Sequence, residues 1–110
     1  MDAYVKAIMG KEIIQSSVSV SKGEKLQWVQ SLNLKRKASE TDLILELWFK
    51  DSFASNDFKG RINLDLLRTN LFLENKIELW LEVKNLEEQT IGKMLVQLEW
   101  KVISIKKKEN

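Results

Sequence analysis

Residues 76–83, KIELWLEV, alternate without a break: Ile77, Leu79, Leu81 and Val83 fall on one side, Lys76, Glu78 and Glu82 on the other. Successive side chains leave a strand on opposite faces, so this rhythm is that of a strand with one buried face. KMLVQLEWKV (93–102) repeats it with Met94, Val96, Leu98, Trp100 and Val102. KLQWVQSLNLK (25–35) follows it with Leu26, Trp28, Leu32 and Leu34 on a face shared with Gln30. In DLILELWFKD (42–51), Leu43, Leu45, Leu47 and Phe49 form one face while Ile44 and Trp48 lie on the other. A strand apolar on part of its second face belongs in a sandwich rather than a bare sheet. With further strands expected near 3–9, 12–20 and 61–66, the count is seven. LLRTNLFLEN (66–75) can form a helical turn, and nowhere does the 3.6-residue period last three turns. The expected fold is an all-β antiparallel sandwich.

The chain has 110 residues, 44% hydrophobic and 31% charged, which suits one domain with a single core. We expect that domain to span residues 1–105, followed by a basic flexible tail, 106–110. Apolar runs such as Leu43-Ile44-Leu45 fall far short of the ~20 residues of a membrane span, and MDAYVK lacks a signal peptide's pattern. The expected setting is therefore cytoplasmic, with peripheral membrane contact at most. Proline is absent, so turns rely on Gly10, Gly23, Gly60, Gly92 and on Asn, Asp and Ser.

Histidine and cysteine are also absent, which removes the commonest general base, the commonest metal ligand and the thiolate nucleophile. A catalytic role would have to be built from carboxylates on solvated loops, so the chain reads as non-catalytic. Eighteen basic against sixteen acidic residues give a net charge of +2, too balanced for a protein held mainly by nucleic-acid phosphates. No nucleic-acid partner is expected.

The order of features resembles the C2 domain, the eight-stranded antiparallel sandwich of the protein kinase C type. Asp2-Ala3-Tyr4-Val5 is similar to that family's Ser-Asp-Pro-Tyr-Val opening, and Trp28 stands where its strand-initial tryptophan does. LILELWFKD matches the alternating strand that ends in aspartate, and Asp57 to Gly60 matches the later Asp-x-x-Gly. ELWLEV and GKMLVQLEW resemble the closing strands. The match runs from residue 2 to about 102, without the family's usual first strand and first acidic loop. An unfilled sheet edge follows. Either the chain is a piece of a longer protein, the favoured expectation because an open apolar edge invites aggregation, or another chain supplies the strand.

Calcium-binding relatives use about five carboxylates from two loops. By resemblance the candidate positions here are Asp2, Asp51 and Asp57, with Phe53 where a ligand should stand. Calcium takes about 6–8 oxygens, so three scattered carboxylates would make at most a weak, vestigial site. No cofactor is expected, and calcium-dependent phospholipid binding is the least favoured function. Local turn hydrogen bonds by Asp51, Ser52 and Asn56 account for the loop without metal. Phe53 and Phe58 could instead enter a headgroup layer beside Lys50, Lys59 and Arg61, although Phe58 reads better as a core anchor.

Strands that reverse at each connection sort the loops between two ends. Residues 10–12, 35–41, 68–75 and 103–110 then share one, which gathers Lys11, Lys35, Arg36, Lys37, Arg68, Lys106, Lys107 and Lys108. The lysine patch that many relatives carry after the Tyr-Val strand is missing from EIIQSSVSV. Trp28 and Trp100 read as core; Trp48 and Trp80 share faces with glutamates and would form a patch if exposed, the favoured expectation being that loops or the missing strand cover them. The combined expectation is a calcium-independent docking module whose basic end meets anionic phospholipid or an acidic protein partner. The alternative is a structural domain for protein contacts in a larger cytoskeletal, ciliary or trafficking assembly.

Overall fold

The computed structural model describes residues 2–17, 20–22, 25–27, 31–37, 39–51 and 53–101. Its strands are β1 (Ala3–Met9), β2 (Glu12–Gln15), β3 (Val20–Lys22), β4 (Lys25–Gln27), β5 (Asp42–Phe49), β6 (Asp57–Asp65), β7 (Lys76–Lys84) and β8 (Thr90–Glu99). β3 and β4 form a separate hairpin, and the other six make an antiparallel sheet in the order β2-β1-β5-β6-β7-β8. Between β6 and β7 lie a 3-10 turn, Leu66–Arg68, and one helical turn, Leu71–Glu74, where the sequence suggested helix.

β6 and β7 meet at a single pair, Arg61 with Lys84, so the sheet folds over at that seam into two layers. Val5, Ala7 and Met9 of β1, Leu43 and Leu45 of β5, and Ile62 of β6 face inward, joined by Leu66, Leu71 and Val83. Ile77, Leu81, Met94, Val96 and Leu98 of the β7–β8 hairpin pack against them, half-buried. Each fully buried aliphatic side chain is worth about 1.5–3 kcal/mol, so this two-layer contact holds the domain together.

Gly60 lies at the seam. A Cβ there would stand 2.8 Å from both the Lys84 carbonyl oxygen and Val83 Cγ1, so only glycine lets β6 come this close to β7. Just before it the β5–β6 register shifts: Leu47 faces Gly60 while Trp48 faces Phe58, leaving Lys59 as the extra residue of a bulge. The bulge turns Phe58 onto the face of Trp48.

Three expectations need correction. The strand expected over 12–20 stops at Gln15, because Ser16 turns inward: its N–H donates to the Val5 carbonyl and its Oγ accepts the Val5 N–H, both at 2.8 Å. Of the strand expected over 25–35, Lys25–Gln27 forms β4 and residues 28–30 lie outside the described residues. Leu32 and Leu34 still pack on the core, but residues 31–37 join no ladder. Residues 57–60, expected in a loop, begin β6. Trp28, Gly23, Ser52 and the tail lie outside the described residues.

Candidate functional site

The turn between β1 and β2 holds Gly10 at φ +59, which Lys11 and Glu12 follow. Two carboxylates tie this turn to the segment before β5. Glu12 Oε2 accepts the Lys35 N–H at 2.9 Å, and Glu40 Oε2 accepts the Lys37 N–H at 3.2 Å while its carboxylate covers Gly10. Leu66 donates its N–H to the Thr41 carbonyl and brings the 3-10 turn alongside. Residues 10–12, 35–37, 39–41 and 68–75 thus gather at one end, and 103–110, expected beside them, lie outside the described residues. Lys11, Lys35 and Lys37 are exposed there, and Arg68 is exposed but pairs with Asp65 at 3.6 Å. Arg36 differs: it is half-buried, its guanidinium carbon 4.5 Å from the Phe72 ring centroid and 5.7 Å from that of Trp100.

At the opposite end Lys50 donates its N–H to the Asp2 carbonyl, and the cross-strand pairing of Phe49 with Ala3 and Asp57 brings Asp2, Asp51 and Asp57 to one rim. Asp51 Oδ1 accepts the Phe53 N–H at 2.9 Å, Asn56 Oδ1 accepts the Asp51 N–H at 3.2 Å, and Asp57 pairs with Lys59 at 3.3 Å. The Asp51 carboxylate turns the chain and that of Asp57 meets a lysine. Among the described residues no three acidic groups converge as metal ligands would. Phe53 is 100% exposed at the loop tip. Phe58 is half-buried and edge-on to Trp48 at 5.4 Å, outside the core where the sequence placed it.

The outer face of β1, β5 and β6 carries an aromatic ladder. Tyr4 lies parallel to Trp48 at 6.4 Å, Lys6 Nζ lies 4.4 Å from the Trp48 ring centroid, and Asn56 donates to the Tyr4 hydroxyl. Trp48 donates its indole N–H to Glu46. The sequence carries the match expected of such a β1-to-β7 arrangement: the family model described as C2 domain aligns with residues 1–83. The chain belongs to the C2 family. No curated protein matches it in sequence.

C2 domains dock onto membranes or proteins and are in general non-catalytic. In this C2 domain no helix among the described residues is long and apolar enough to cross a membrane. The ladder around Trp48 drew only partial notice in the sequence, where Trp48 stood as a patch unless covered. Tyr4, Lys6 and Phe58 cover it, and the signal for this was the alternation of AYVKAIM, which puts Tyr4 and Lys6 on one face. Trp80, by contrast, is 68% exposed.

Proposed function

We propose that this C2 domain attaches peripherally to anionic phospholipid through its basic end, without calcium. The observation carrying this reading is the inward use of Glu12 and Glu40. Both acids hold backbone N–H groups of the 35–37 segment, while the side chains of Lys11, Lys35 and Lys37 stand exposed beside them. Each basic residue near an anionic leaflet contributes about 1 kcal/mol, and the interaction fades beyond a Debye length of ~8 Å at physiological salt. Three lysines with Arg68 beside them support a modest, reversible and salt-sensitive attachment. Arg36 has no part in it, because its guanidinium lies on the Phe72 ring.

The test is co-sedimentation with phosphatidylserine vesicles in chelator, with K11E/K35E/K37E alongside. Binding in chelator that the triple variant loses supports the reading. Binding that needs calcium, or that survives the triple variant, overturns it. A protein-contact role is the second reading, favoured by the exposed Trp80 and Leu95, which face each other on the outer side of the β7–β8 hairpin.

A further inference from the structure

β8 is a ten-residue strand that pairs with β7 along one edge, and among the described residues no strand pairs with its other edge. Its inward residues Met94, Val96 and Leu98 are only half-buried, and Leu95 and Ile91 on the hairpin are exposed. A long, partly apolar edge of this kind is a template for another strand. What that strand must carry can be read from the charges along β8.

We propose that β8 pairs antiparallel with β8 of a second copy of this chain, about a two-fold axis through Val96, joining the two folded sheets edge to edge. In an antiparallel pair, facing residues share a side of the sheet, so a two-fold centred on Val96 keeps inward residues against inward ones. Met94 then faces Leu98 of the second copy, and Val96 faces its own counterpart. On the outer side Lys93 faces Glu99 of the second copy, twice by symmetry.

Within one chain Lys93 already faces Glu82, and Glu99 faces Lys76. The joined sheet therefore carries an alternating row across four strands: Glu82, Lys93, then Glu99 and Lys76 of the second copy. Neighbouring registers lose this. Centred on Leu95, Glu99 would meet Ile91; centred on Gln97, Lys93 would meet Lys101. Opposite charges directly across a sheet stabilise it and like charges destabilise it, so the strand is complementary to itself in the Val96 register. Such a closed, isologous contact also removes the open edge without building a filament. The Glu99–Lys101 pair at 3.4 Å, exposed on both sides, is a weak competitor.

This inference is independent of the lipid reading. Sedimentation equilibrium of the unmodified chain comes first, and a concentration-dependent dimer is expected. K93E should weaken it about tenfold, since two attractive pairs become two repulsive ones. K93E/E99K restores both pairs between copies yet keeps the clash with Glu82 and adds one with Lys76. Recovery of the dimer in that variant therefore reports the intermolecular register rather than monomer folding.

The register has a second readout, because the chain lacks cysteine. V96C should form a disulfide-linked dimer on oxidation, its Cα atoms about 5 Å apart across the axis. L98C should not, because its counterpart lies about 13 Å away along the strand. A monomer at the highest soluble concentration, no rescue by K93E/E99K, or equal cross-linking of V96C and L98C overturns the proposal.

Discussion

The guanidinium carbon of Arg36 lies 4.5 Å from the centroid of the Phe72 ring, and Phe72 meets Trp100 edge-on at 5.3 Å and 89°. Three segments distant in sequence, the stretch before β5, the helical turn and the residue just after β8, are locked together by one stack. A cation on an aromatic face is worth about 0.5–2 kcal/mol, more where water is excluded. The cation flanked by Lys35 and Lys37 is thus a fold determinant between two solvated charges.

Arg36→Ala should cost about 1–2 kcal/mol, through the lost cation–π contact and the lost packing of the arginine stem. Urea denaturation of the variant measures it. Lys35→Ala and Lys37→Ala should stay within about 0.5 kcal/mol of the parent, as exposed substitutions do. Equal effects at the three positions would refute the distinction.

Ser16→Ala should destabilise by about 1–3 kcal/mol despite the small change in volume. Removing Oγ leaves the Val5 N–H without its 2.8 Å acceptor inside the β1–β2 edge, and an unsatisfied buried donor costs its full desolvation. For a domain of this size each 1 kcal/mol lowers Tm by about 4–8 °C, so a thermal melt resolves it. Ser55→Ala, at an exposed position away from β1 and β2, is the control.

The alternation made the faces legible, and its limits are physical. Leu32 and Leu34 point inward as period two requires, yet residues 31–37 form no ladder, because a strand also needs a neighbour and alternation encodes only the side-chain half of that requirement. Arg36 shares the parity of Leu32 and Leu34, so the same pattern that placed the leucines could have placed it; its charge hid the signal. The end of β2 was invisible, since a serine at an inward position looks the same whether it continues a ladder or folds back on Val5. The bulge at Lys59 was also hidden: one extra residue leaves the composition unchanged and moves Phe58 to the other face. The gathering of Lys11 with residues 35–37 was legible from strand reversal alone. The use of Glu12 and Glu40 as backbone acceptors there was not, because it depends on the separation of two segments remote in sequence.

Gly60→Ala should destabilise by about 1–3 kcal/mol, with the loss read in the β6–β7 seam. Both nearest atoms, the Lys84 carbonyl oxygen and Val83 Cγ1, lie on packed β7 and give way only if the strands part. Hydrogen exchange should therefore quicken at Arg61 and Lys84 before it quickens in β1. At Gly10, alanine meets a flexible glutamate as well as a left-handed backbone, and Glu40 can swing aside at the expense of its hold on the Lys37 N–H. Gly10→Ala should thus loosen the 35–40 segment locally and leave the seam untouched.

Calcium removal should leave the domain unchanged. A ligand that binds only the folded state stabilises it by RT ln(1 + [L]/Kd), so a site filled at millimolar calcium would raise Tm measurably on titration. Here Asp51 is committed to the Phe53 N–H and Asp57 to Lys59, and Asp2 is tied to Lys50 through its backbone rather than through its carboxylate. Melting curves in excess chelator and in millimolar calcium should superimpose, and Asp51→Asn, which keeps an oxygen acceptor for the turn, should melt with the parent in both. A rise in Tm with calcium that Asp51→Asn abolishes would show that the loop rearranges to bring its carboxylates together. The rim around Phe53 would then be the membrane-facing end instead of the lysines.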